Sequence, residues 1–276
     1  MTRKLPSTIL FSLAVGAFAG SAAGYLGSIM VSRHMALVGD AMSHVALPGL
    51  ALGILFGFNP FIGAFTFLAV TAIITWQIQR STTLSIEAII GVLFVLALAI
   101  GILITPQVDL LEALFGDISK LTLIDVIVTV PTSVLVIIVT RAIHDKLALS
   151  VISKELAVSN GVRVERINLI YLLLVATIVA IGIKEVGTLL VGAVVIVPAA
   201  AARNVSTTMR TYSLTSSLIG LLSATSGIML SSYVNVPAGP LVVIVGATIF
   251  ALGLFFRSAS RSERIKSGQG PATTSS

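Results

Sequence analysis

An aspartate and a histidine, Asp40 and His44, stand four residues apart in the stretch RHMALVGDAMSHVALPGLALG, Arg33 to Gly53. On a helix that spacing sends both side chains out of one face, a turn apart. A carboxylate and an imidazole stacked this way supply half of a coordination shell for a divalent metal ion. Pro48 and Gly49 follow at once, and Pro48 removes a backbone donor, which loosens the helix beside the pair. Two plainer readings stand next to this one. The pair can be a surface hydrogen bond, or Asp40 can cap a helix start while Ser43 and His44 seal a packed interface. The setting favours chemistry, because an acid buried in hydrocarbon costs on the order of 3 kcal/mol and ionisable residues at membrane depth tend to mark sites.

That setting follows from composition. Of 276 residues, 56% are hydrophobic and only 10% charged, against about 25% charged in a soluble domain. The chain is an all-α polytopic membrane protein. Its net charge of +6 does not call for nucleic acid, since basic residues of membrane proteins collect on cytoplasmic loops. There is no cysteine, which excludes disulfides, iron–sulfur clusters and thiolate metal sites. No Gly-Lys dipeptide occurs, so the chain has no Walker loop and hydrolyses no ATP itself.

Apolar runs and their breaks place spans near 9–31, 35–57, 60–79, 85–105, 122–140, 167–183, 186–202, 211–232 and 238–256. That makes eight to nine transmembrane helices, the shorter segments being candidates for re-entrant ones. Arg3, Lys4 and the small residues Ser21, Ala22 and Ala23 resemble a secretory signal, but the apolar run is long enough to span a bilayer and reads as an uncleaved first helix. Gly16, Gly20, Gly24 and Gly27 give that helix a small-residue stripe for close packing. With alternate loops grouped, Arg3, Lys4, Lys120 and Lys184 fall on one side and the rest of the 17 lysines and arginines on the other. This puts the multi-pass chain in the cell membrane with a cytoplasmic C-terminus. Residues 1–257 form the membrane domain, and 258–276 are expected to be a disordered cytoplasmic tail.

The cytoplasmic loop at about 141–166 carries Leu147, Val151, Leu156 and Ala157 in the pattern of a short amphipathic helix, stopped at Asn160-Gly161. Such a helix lies on lipid headgroups or docks in a groove on a cytoplasmic partner. Gly187, Gly192 and Ala199 to Ala202 suit close helix packing, with Pro198 kinking the segment. Glu87 and Asp125 fit helix starts, and neither His34 nor His144 is expected to be a ligand.

Three blocks together resemble the membrane permease subunit of ABC transporters that import zinc, manganese or iron. GDAMSHVALPG at 39–49 is similar to that family's Gly-Asp-x-x-Ser-His-x-x-x-Pro-Gly signature, ELAVSNGVRVERIN at 155–168 to its coupling loop, and VGTLLVGAVVIVPAAAAR at 186–203 to its Val-Gly-x-Leu-Leu-Val block. EAIIGVLFVLALAIGIL at 87–103 and LFGDI at 114–118 agree as well. The resemblance implies a type II ABC importer-like permease, not itself an enzyme, that works as a homodimer around one path. Its partners would be two ATPase subunits and an extracytoplasmic solute-binding protein. It further implies that Asp40 and His44 line the path as metal ligands, with the helix break at Pro48 and Gly49 beside them. Leu156, Ala157 and Gly161 would couple to the ATPase. No cofactor is implied beyond the transported ion. A stand-alone proton-driven carrier is the alternative, but such carriers show paired repeats, and the 39–49 pattern has no second copy.

Overall fold

The computed structural model describes residues 6–104, 121–234 and 236–266, and within them the chain is all helix and connecting turns. The motif LFGDI lies outside the described residues. In chain order the helices are α1 (Pro6–Ser32), α2 (Ala36–Val45), α3 (Leu47–Phe56), α4 (Pro60–Ser81), α5 (Ile86–Ile104), α6 (Leu123–Ile152), α7 (Lys154–Ser159), α8 (Val164–Val186), α9 (Val191–Arg203), α10 (Met209–Val234) and α11 (Ala238–Lys266). Eight segments are long and apolar enough to cross a membrane, α2 and α3 together making one of them. The stretch expected to span at 186–202 is shorter. A turn at 187–190 precedes α9, whose 13 residues reach only about 20 Å, less than the hydrocarbon thickness.

The glycine stripe explains why α1 sits at the centre, packed on α6, α9 and α10. A methyl group at Gly24 would fall on the Ser216 carbonyl, and one at Gly27 on the Val195 carbonyl. Backbones that close need small residues at the crossing. Hydroxyls then stitch α1 to α10: Ser21 to Ser217 and Ser28 to Ser213, both at 2.7 Å, with Ser216 donating to the Gly24 carbonyl. Leu26, Met30, Met42, Leu47, Tyr171 and Ile183 form the main core between α1, α2, α3 and α8. By contrast, α5 and α6 turn Val92, Leu96, Ile124 and Leu135 outward, as helices facing lipid do.

Charged contacts separate to the two ends of α8. At its start, Arg33 donates to Asn168 at 2.9 Å and Arg80 pairs with Glu165 at 2.9 Å. At its end, Lys184 pairs with Asp125 and lies 4.8 Å from the Phe61 ring centroid. Burial pulls the Arg33 guanidinium below its ordinary value, and the neighbouring Tyr171 opposes that shift.

Two expectations are corrected. The amphipathic helix drawn through Leu147, Val151, Leu156 and Ala157 is two helices. Residue 147 belongs to α6, which runs unbroken to Ile152 because Ile143 and Leu147 are buried in the core. Ser153 is extended and starts α7 by accepting from the Leu156 N–H at 3.1 Å. At the other terminus, α11 continues as helix to Lys266, so 258–266 differ from the disordered tail that composition suggested.

Candidate functional site

Helix α2 buries Val38, Gly39, Met42, Ser43 and Val45 and leaves the strip Leu37, Asp40, Ala41 and His44 uncovered. Residues at i, i+3, i+4 and i+7 share one helical face, so Asp40 and His44 stand one above the other on it. Both are half-buried. Asp40 does not cap the helix start: the N-cap is Met35, and no side chain bonds there.

Elements far away in sequence position the pair. Asp40 lies against Gly192 in the first turn of α9, where a methyl group would meet its Oδ1 at 2.5 Å and its Cβ at 2.7 Å. Only glycine leaves that room. The Ser43 hydroxyl lies 2.6 Å from the Asp40 carbonyl and 2.7 Å from the Thr188 carbonyl, which ties α2 to the turn before α9. His44 packs its ring on Phe94 of α5, with centroids 5.4 Å apart and planes tilted by 52°. Its Nδ1 is buried without a hydrogen-bond partner among the described residues.

The break beside the pair is slight. Chain direction persists through Ala46, whose carbonyl accepts from the Leu50 N–H at 2.9 Å across Pro48. Gly49 meets the Gly63 carbonyl on α4, and Pro48 packs near Gly101 on α5. Both face neighbouring helices rather than the open strip.

Of the three residues expected to couple to the ATPase, Leu156 and Ala157 lie in α7 and Gly161 just after it. Ala157 is fully buried under the helix, whereas Leu156 points outward and is half exposed. Gly161 has φ +75°, and the Gly161 and Val162 N–H groups bond the Val158 and Ala157 carbonyls at 2.9 and 3.0 Å. That is a Schellman stop, with glycine in the left-handed position. Asp125 lies at the helix start its position suggested, where it makes a capping box by accepting from Thr122 and also pairs with Lys184. His34, at φ 60° in the exposed turn between α1 and α2, and His144, paired with Asp145 at 3.1 Å, both lie away from the strip.

Among the described residues, no three of His, Asp and Glu come together. Phe94 and Thr188 carried no signal in the sequence, and Gly192 stood out only as a small residue.

Comparison with known proteins agrees with this architecture. The model of the ABC 3 transport family matches residues 7–257. The manganese import system permease protein ScaB of Streptococcus gordonii is 30% identical, over 93% of this chain and 92% of its own. The high-affinity zinc uptake system membrane protein ZnuB of Haemophilus influenzae is 32% identical, over 84% of this chain and 91% of its own. Among solved structures, PsaBC from Streptococcus pneumoniae in complex with Fab contains a chain that superposes with a TM-score of 0.80 at 28% identity, covering 93% of this chain and 94% of that one. With the match spanning every membrane helix, the chain belongs to the ABC 3 transport family and is a membrane-spanning transport subunit, not an ATPase.

Proposed function

We propose that the protein is the permease of an ABC importer for a divalent transition metal ion, zinc or manganese, and that Asp40 and His44 bind the ion in transit. The observation that carries this reading is the open strip of α2, which presents one acid and one imidazole and nothing else able to ligate. A second copy related by a twofold axis doubles the set to two carboxylates and two imidazoles. Those donors suit zinc or manganese, accept iron(II), and offset the charge of the ion. Relatives named for manganese import and for zinc uptake support the metal class. Nothing favours the stand-alone carrier.

The mechanism follows from the two ends of the bundle. The basic end, with Arg33, Arg80 and Arg210, faces the cytoplasm together with the C-terminus. A binding protein delivers metal at the opposite end, and the ion passes to Asp40 and His44. An ATPase engages the exposed side of α7 at Leu156, and its closure rocks the helices that Ala157 and Gly161 hold to α7. Uptake of zinc, manganese and iron isotopes by cells expressing the chain with its ATPase and binding protein tests this. ATP-dependent uptake of one metal, abolished by Asp40→Ala or His44→Ala while the ATPase still co-purifies, is the expected result. Normal uptake by His44→Ala means the site is elsewhere, and uptake without the ATPase overturns the importer.

A further inference from the structure

At the end of the bundle opposite Arg33, a cavity of about 460 Å³ opens with Phe61, Ile62 and Phe65 of α4 and Ile124 and Val128 of α6 among its walls. Ile62, Ile124 and Val128 are exposed, so its apolar rim faces the bilayer. Three charged groups also line it: Asp125, Lys184 and Glu185. Two of them satisfy each other. Asp125 takes Lys184 on Oδ1 and both Thr122 donors on Oδ2, at 2.7 and 2.8 Å, while Lys184 lies over Phe61.

Glu185 is different. It is only 7% exposed, its Oε1 has no hydrogen-bond partner, and it makes no ion pair among the described residues. Of the three threonines that line the cavity, two are already engaged, Thr132 donating to the Val128 carbonyl and Thr177 to the Leu173 carbonyl. A buried carboxyl without a donor is costly unless something from outside the chain supplies one. Glu185 lies one residue before the end of α8.

We propose that this cavity binds an aminophospholipid, with its primary ammonium on Glu185 and its upper acyl chain along Phe65 and Val128. A metal ion fits less well, since Lys184 already occupies the only other carboxylate that lines the cavity among the described residues, and a lone carboxylate is a poor shell. A soluble amine does not explain the apolar rim. A choline headgroup has no N–H to give a buried oxygen.

Native mass spectrometry of the purified transporter, exchanged into equimolar phosphatidylethanolamine, phosphatidylcholine and phosphatidylglycerol, tests the proposal. The intact complex should retain phosphatidylethanolamine over phosphatidylcholine by about tenfold, the worth of one charge-assisted hydrogen bond. Glu185→Leu should bring the two to parity, and Ile62→Trp, which fills the mouth from outside, should lower retention of both. Glu185→Gln keeps the shape and should show an intermediate preference. Equal retention by the unaltered protein, a preference that survives Glu185→Leu, or selection of phosphatidylglycerol overturns the assignment.

Discussion

Asp40 owes its position to an absence. Among the described residues no hydrogen bond holds its carboxylate; the missing side chain of Gly192 positions it, by leaving a recess that a single methyl group would close. Gly192→Ala should therefore displace Asp40 or push α9 away, an overpacking cost of about 1–3 kcal/mol. The expected outcome is a several-fold rise in the KM for metal uptake, with the ATPase still bound. Gly91, whose added methyl would meet nothing within 4 Å, is the control, and Gly91→Ala should transport normally. Equal behaviour of the two variants would show that the recess does not position Asp40. His44 is held differently, by its ring contact with Phe94.

The helices divide into those that hold and those that transmit. The α1–α10 pair is a static seam, because carbonyls packed against glycines and hydroxyl bonds of 2.7 Å leave no room for sliding. The α6–α7–α8 corner is built otherwise. Ser153 ends one helix and starts the next, and Gly161 stops α7 with a left-handed residue. Gly161→Val forces a β-branched residue to positive φ, at a cost of about 1–2 kcal/mol, and Ala157→Phe expels α7 from its seat. Both should uncouple ATP hydrolysis from uptake: hydrolysis persists in proteoliposomes while metal accumulation falls. Hydrolysis and uptake falling together would instead indicate that α7 only binds the ATPase.

At the scale of the molecule, the half-built site on α2 asks for a second copy. Leu37 lies on the same open strip and is 75% exposed, an unusual place for a leucine beside the two proposed ligands unless another helix covers it. The chain has no cysteine, so a single Leu37→Cys is a clean probe. A short bifunctional thiol reagent should link two copies through residue 37 in membranes, whereas Phe255→Cys, on the outer side of α11, should remain monomeric. The reverse pattern would place the twofold axis on the other side of the bundle. Among the described residues, Arg33, Arg80 and Arg210 gather at one end of the bundle and Lys184 lies at the other.

Apolar run lengths matched to bilayer thickness determined by themselves that the chain is a bundle of membrane helices, because hydrocarbon admits few other backbones. The four-residue spacing of Asp40 and His44 likewise determined that they share a face, since helical periodicity is local. Tertiary structure alone decided what surrounds them. Phe94, Thr188 and Gly192 reach α2 from positions 50 to 148 residues further along the chain than His44, and no local pattern records such contacts. It also decided where α6 ends. Arg141 marks the close of the apolar run, yet the helix continues because Ile143 and Leu147 find a core to enter. Length failed for α9, where 13 helical residues behind a turn take the place of a full span, and that turn, with its Thr188 carbonyl, is what fastens the site.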